Sequence, residues 1–241
     1  MLPIDSVWIA LAIVTFAAAL QASIGFGFAL VAAPLLVLLD RAYVPGPLLG
    51  LGFALGLVMA WRERGSIDRG GLRAAVAGRL LGVVPAGWVL TLATPRIFDL
   101  LFSALVLTGV ALSMVHRRVT PTPRAVFGAS VLSGLMGTIT SIGGPPLALV
   151  YQNASGPMLR STLALLFVMG SAISLATLAA IGRFGRVELV LTATLVPGVI
   201  AGVALSGPLL GRIDGSATRP LVLLLSAACA LAVLGRALAG S

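Results

Sequence analysis

Lysine is absent from the 241 residues, and all 16 basic residues are arginine. That excludes Schiff-base chemistry, a retinal linkage and a phosphate-binding G-x-x-x-x-G-K-S/T loop, so ATP hydrolysis in that form is excluded too. One histidine (His116) and one cysteine (Cys229) exclude a multi-His or multi-Cys metal site, a bis-His haem and an intrachain disulfide. Charge is scarce, at 10% of residues, and only 7 residues are acidic. A soluble domain carries roughly 25% charged and 45–50% apolar residues. Here 59% of residues are apolar and the mean hydropathy is +1.12. Hydrocarbon must solvate much of that surface, so the chain reads as an integral membrane protein whose first partner is the lipid bilayer.

The excess of arginine gives a net charge of +9, but the arginines sit at the ends of apolar runs instead of forming one clustered face. That is the distribution of a membrane protein and not of a nucleic-acid partner. The opening MLPIDSVW has no basic residue and carries Asp5, and the apolar run continues past any cleavage point. It therefore reads as a retained membrane segment and not as a signal peptide.

A bilayer crossing needs about 20 apolar residues. Apolar runs fall at 6–39, 46–61, 74–94, 98–115, 125–151, 158–182, 188–210 and 219–238, joined by short polar or Pro/Gly-bearing connections. The expectation is an all-α integral membrane protein of about eight transmembrane segments, multi-pass in the cell (inner) membrane. Segments one and five are interrupted by SIGFGF at 23–28 and SIGGPP at 141–146, so they are broken or re-entrant. The two Ser-Ile-Gly triplets lie 118 residues apart, and Ala86-Gly87 loosely echoes Ala201-Gly202. This predicts two four-segment repeats, residues 1–120 and 121–241.

If all eight segments cross, ten arginines share one side and five the other, with both termini in the cytoplasm. If segments one and five turn back, the split is again ten to five. Both termini are then outside and the repeats are inverted. Charge leaves both topologies open.

Glycine and proline release backbone N–H and C=O groups from the helical ladder. At membrane depth such groups survive where protein buries them or where they line a cavity, and paired breaks point to a transporter site. A half-helix starting at a break directs N–H groups and its positive end at an anion. The second break, Thr138 to Pro146, holds three hydroxyls (Thr138, Thr140, Ser141), two glycines and two prolines. Arg79, inside segment three, either faces the cavity as a bidentate anion ligand or snorkels to the interface beside Arg73. Gln21, Gln152 and Asn153 are polar groups near the breaks. Asp99 and Glu188 sit at segment starts, where a carboxylate complements the helix dipole. No acidic residue lies mid-segment, which argues against a buried carboxylate proton relay. Trp8, Trp61 and Trp88 read as interfacial anchors, and the Gly52/Gly56, Gly78/Gly82, Gly198/Gly202 and Gly207/Gly211 spacings as close helix contacts. His116, between a methionine-valine pair and two arginines, reads as a solvated loop residue.

The stretches SIGFGFALVAAPLL and GLMGTITSIGGPPLALVYQ resemble the TauE/SafE sulfite-exporter-like permeases, GGPP within an apolar segment being the most characteristic element. The resemblance implies transport of a small sulfur-containing anion such as sulfite or an organosulfonate. On it, Ser23, Gly25, Gly27, Ser141, Gly143, Gly144, Pro145 and Pro146 fall on the paired motifs, and Pro34 follows the first. The expected substrate-binding set is Gln21, Ser23, Gly25, Gly27, Arg79, Thr138, Thr140, Ser141, Gly143, Gly144, Pro145 and Gln152. The expected function is a secondary transporter working by alternating access around the two broken helices. A passive anion channel, or a membrane subunit needing a partner, is the alternative. No enzymatic activity, cofactor or metal is expected, and a homodimer is allowed.

Overall fold

The computed structural model describes residues 4–25, 27–62, 65, 67–115, 119–210 and 215–240. Its helices are α1 Ile4–Ile24, α2 Phe28–Leu39, α3 Gly46–Arg62, α4 Leu72–Leu92, α5 Pro95–Met114, α6 Pro123–Thr140, α7 Gly144–Tyr151, α8 Gly156–Ala180, α9 Arg186–Leu210 and α10 Gly215–Ala239. A short 3-10 turn at Arg41–Tyr43 follows α2, and no strand occurs among the described residues. Thr94-Pro95 and Thr122-Pro123 start α5 and α6. Each threonine caps the backbone N–H three residues on, and each proline fills the first helical position, where no donor is needed.

Six of these helices are long and apolar enough to cross a bilayer, and α2 and α3 are shorter apolar helices. Eight uninterrupted crossings are not what the chain builds, because the first and fifth runs are each split in two. Gly25 (φ 86°) and Gly27 (φ 109°) end α1 in left-handed backbone, and Ser141 (φ 64°) does the same for α6.

Both splits are hairpins. Ser133 Oγ donates to the Gly143 carbonyl at 2.6 Å, although a continuing helix would carry residue 143 some 15 Å further on. Beyond it, Tyr151 at the end of α7 returns to pack beside Val126 near the start of α6. In the first hairpin the Phe28 N–H donates to Gln21 Oε1 at 3.0 Å, tying the start of α2 back to α1.

The neighbours of the hairpins fix directions. Gly46 lies against Glu188 and Gly50 against Thr192, so α3 and α9 run parallel; Arg79 meets Gly170 and Gly87 meets Thr177, so α4 and α8 do as well. A simple up-and-down chain of eight crossings would make both pairs antiparallel. One end of the bundle, here the upper, carries residues 67–71, 119–122 and 152–155, where the Asp68–Tyr151 hydrogen bond ties two connections together and Arg219–Ser113 ties the start of α10 to the end of α5. The lower end carries 40–45, 93–94, 181–185 and the C-terminus of α10.

Close contacts use the small-residue spacings. Gly78 and Gly82 of α4 meet the backbone of α6 at Phe127 and Val131, and Gly198 and Gly202 of α9 meet α1 at Leu11 and Thr15. Gly56 meets Val168 across α3 and α8. Gly211 lies outside the described residues. A single large apolar cluster fills the centre, while Leu81, Val84 and Trp88 on α4 and Leu221, Leu224 and Leu231 on α10 face outward. Leucines on the outside of an already packed bundle are the surface that lipid covers. Trp8, Trp61 and Trp88 also face outward near helix ends.

Candidate functional site

The two hairpin tips bound a cavity of about 210 Å³ in the upper half of the bundle. Gln21, Gly25 and Gly27 line it from the first tip, Ser141, Gly143, Gly144 and Pro145 from the second, and Arg79 and Gln152 complete the expected residues found there. Three expected residues do not reach it. Ser23 Oγ donates to the Ala19 and Ser206 carbonyls, bracing α1 against α9. Thr138 Oγ1 pairs with Ser174 Oγ at 2.8 Å in a fully buried position. Thr140 Oγ1 donates to the Met136 carbonyl and accepts from the Ile142 N–H, which shapes the tip from behind. The hydroxyls of all three are engaged by protein partners outside the cavity.

Arg79 does not snorkel. Only 8% of it is exposed, and its side chain crosses from α4 to α6 and α8. Nη1 donates to the Ser133 carbonyl (2.6 Å) and Ser133 Oγ (2.8 Å), and Nη2 donates to the Gly170 carbonyl (3.0 Å) and Ser174 Oγ (2.9 Å). The fork expected to take an anion bidentately is therefore already engaged by protein acceptors. Nε–H has no partner in the structure, and no carboxylate meets the guanidinium among the described residues. A buried charge without a counter-ion costs several kcal/mol unless something compensates it. Gly137, Gly143 and Gly170 form its seat: a Cβ on each would stand 2.8, 2.8 and 3.0 Å from guanidinium atoms. The glycine of GGPP is thus required by the arginine behind it as well as by the turn.

Sequence reasoning missed Arg160, Arg219, Phe167 and Ser171, all of which line the cavity. Arg160 of α8 lies across the first tip, with Cγ and Cδ 3.1 and 3.2 Å from where a Gly25 Cβ would be. Arg219 Nη2 donates to the Ser113 carbonyl at 2.6 Å. In the sequence both arginines stand at the starts of apolar runs, and the fold brings them to the cavity. Among the described residues, three arginines and no acidic residue line it.

Glu188 behaves as expected, with Oε2 accepting the Gly185 N–H at 2.7 Å at the start of α9. Asp99 does more than complement a dipole. It is fully buried and bonded to Arg41 (2.9 and 2.6 Å) and Arg236 (3.0 and 3.2 Å), joining the 3-10 turn, α5 and α10 at the lower end. His116, Arg64, Arg117, Arg118, Arg212 and Phe26 lie outside the described residues.

An apolar multi-pass helical bundle with an arginine-lined cavity between two broken helices defines a membrane protein suited to handling an anion. The chain belongs to the sulfite exporter TauE/SafE family, whose family model matches residues 10–233. It is accordingly a membrane anion transporter. No curated protein and no solved structure matches it.

Proposed function

We propose that the chain is a secondary transporter of a small anion, sulfite or an organosulfonate, which binds between the two hairpin tips and crosses by alternating access. The observation that carries this reading is the cavity itself. Both breaks and three arginines line it, and the deepest arginine is buried with an unused Nε–H and no carboxylate beside it. An anion in the cavity would supply that missing compensation.

The helix packing supports reading residues 1–120 and 121–241 as an inverted repeat. Shifting every helix by five exchanges α1–α9 with α6–α4, α2–α10 with α7–α5, and α3–α9 with α8–α4, while α3–α8 and α5–α10 map onto themselves. On this reading Gly78 and Gly82 correspond to Gly198 and Gly202, 120 residues apart, in place of the Ala86-Gly87 echo at 115. The two hairpins count as re-entrant segments, returning to the side they enter. Of the two arginine counts, the relevant one then assigns ten to the end that bears the cavity mouth. The positive-inside rule turns that mouth toward the cytoplasm of the inner cell membrane and both termini outward, the arrangement of an exporter open for loading.

The test is counterflow in proteoliposomes holding only this protein, against sulfite, thiosulfate, sulfoacetate, taurine, acetate and chloride. Trans-accelerated, saturable exchange of one sulfur oxyanion or sulfonate is expected. Non-saturating flux without trans-acceleration would make the protein a channel, and no flux from folded protein would remove the reading. A C-terminal alkaline phosphatase fusion should be active; an inactive one beside an intact transporter would invert the orientation.

A further inference from the structure

A second cavity, of about 330 Å³, opens at the lower end between the turn at 40–47 and the connections 93–95 and 181–185. Resting on the transporter reading above, we propose that this cavity is the opposite vestibule of the same anion path, and that the contact between Ser141 and Pro45 is the closed gate between the two.

The wall between the cavities is thin. Ser141 lines the upper one, and its Oγ donates to the Pro45 carbonyl at 3.0 Å; Pro45 lines the lower one. Along α3 the same boundary falls between Pro47, which faces the lower cavity, and Leu49, which faces the upper. One hydrogen bond and less than a helical turn therefore separate two spaces that lie toward opposite ends of the bundle.

Ser141 is also the one non-glycine residue with positive φ among the described residues. A side chain rarely holds left-handed backbone without a reason, and such strain gathers at switches. A glycine would sit there more easily but would offer no hydroxyl to close on Pro45. The gate residue lies on the tip that forms the upper site, so an occupant of that site touches the element that must move.

Two guanidinium groups stand along the lower cavity. Arg41 lines it while paired with Asp99, and Arg183 lines it beside Glu188, whose Oε2 is held by the Gly185 N–H. Their remaining N–H groups are donors of the kind an anion leaving the upper cavity would use.

The experiment is two-sided cysteine labelling with a membrane-impermeant methanethiosulfonate in oriented vesicles, in a Cys229→Ala background. Ala148→Cys reports the upper cavity and Ala93→Cys the lower. The two should label from opposite sides. Ser141→Ala and Ser141→Gly should each speed labelling of Ala148→Cys from the lower side by roughly fivefold, the population shift that one net hydrogen bond produces. Labelling of both cysteines from the same side would overturn the proposal. So would two Ser141 variants, inserted and folded, that leave both labelling rates unchanged. Sulfoacetate protecting Ala148→Cys but never Ala93→Cys would make the lower cavity a crevice off the path. Opposite sidedness and a Ser141 effect, with no protection or transport of any anion, would sink the transporter reading and leave the gate.

Discussion

Replacing Arg79 by methionine keeps an unbranched apolar stem and removes the guanidinium, which separates the two roles its position allows. Its four hydrogen bonds go to the Ser133 and Gly170 carbonyls and to the Ser133 and Ser174 hydroxyls. Both carbonyls lie inside helices whose ladders still use them, and the hydroxyls keep the Gly143 carbonyl and Thr138 as partners. Methionine therefore strands no acceptor completely. The lost hydrogen bonds, about 1.5–3 kcal/mol each for a charged donor, are opposed by relief of a buried charge without a counter-ion, several kcal/mol in the other direction. Stability should fall only by the difference between these opposing contributions, read as a lowered Tm with the cooperative transition kept. Binding should change far more. A unit charge roughly 4 Å from an anion at an effective dielectric constant of 20 contributes about 4 kcal/mol, and water in an open cavity can halve that. The counterflow KM should thus rise between about 30-fold and 1,000-fold. Arg79→Lys, which keeps the charge but cannot reach both Ser133 and Ser174, should lose no more than about tenfold. A Met variant with KM within threefold of wild type and a collapsed Tm would refute this and make Arg79 a structural bolt between α4, α6 and α8.

Gly143→Ala places a Cβ 2.8 Å from Arg79 Nη1 and 3.0 Å from the Ser133 carbonyl, so it should cost about 1–3 kcal/mol of stability and weaken substrate binding while leaving membrane insertion intact. Ser141→Ala should likewise weaken binding, read as a raised counterflow KM with unchanged expression. Asp99→Asn leaves Arg41 and Arg236 facing each other without a carboxylate and should destabilise the lower end by about 3–5 kcal/mol in thermal unfolding. Gly82→Leu drives a side chain into the α6 backbone at Val131, and Gly202→Leu does the same against α1 at Thr15. Each should lower Tm sharply, whereas leucine at Gly128, which has open space around it, should be tolerated.

How much of this was legible depends on the range of the interactions. Composition alone makes the chain a membrane protein, because 59% apolar residues leave no aqueous alternative. The breaks are legible because Gly25, Gly27 and GGPP carry their backbone consequences locally. The positions of Thr138 and Thr140 were not legible because a hydroxyl near a break serves equally well as ligand or as brace, and their bonds to Ser174 and the Ile142 N–H depend on packing. Whether the breaks turn back could not be read from charge, since both topologies split the arginines ten to five. The deciding contact, Ser133 with Gly143, depends on a hairpin whose own length signal is weak: α7 has only 8 residues. Arg160 and Arg219 were hidden for the same reason, and the Arg41–Asp99–Arg236 triad joins residues up to 195 positions apart, as Arg41 and Arg236 show.

The two tips are served crosswise. Arg79, from the first half of the chain, sits behind the second tip at Gly143, and Arg160, from the second half, lies over the first tip at Gly25. Neither half therefore owns a complete site. In the inverted repeat proposed above, Gly82 corresponds to Gly202 and Arg79 to Val199, which is buried and apolar, so on that reading the deep charge exists once and not twice. An exact inverted repeat would give two equivalent half-sites about a pseudo-two-fold axis, and a substrate on that axis would meet two opposed arginines at equal depth. Keeping one arginine deep and the other toward the upper mouth sets a direction along the cavity instead. An anion drawn to Arg160 and Arg219 has a further, better desolvated charge ahead of it, and that charge stands directly behind the tip that ends at Ser141. Under the alternating access proposed above, a motion that separates the halves would move both arginines away from their tips together, so release from one would require release from the other. The crosswise placement would in that way couple a bound anion to both halves of the bundle at once.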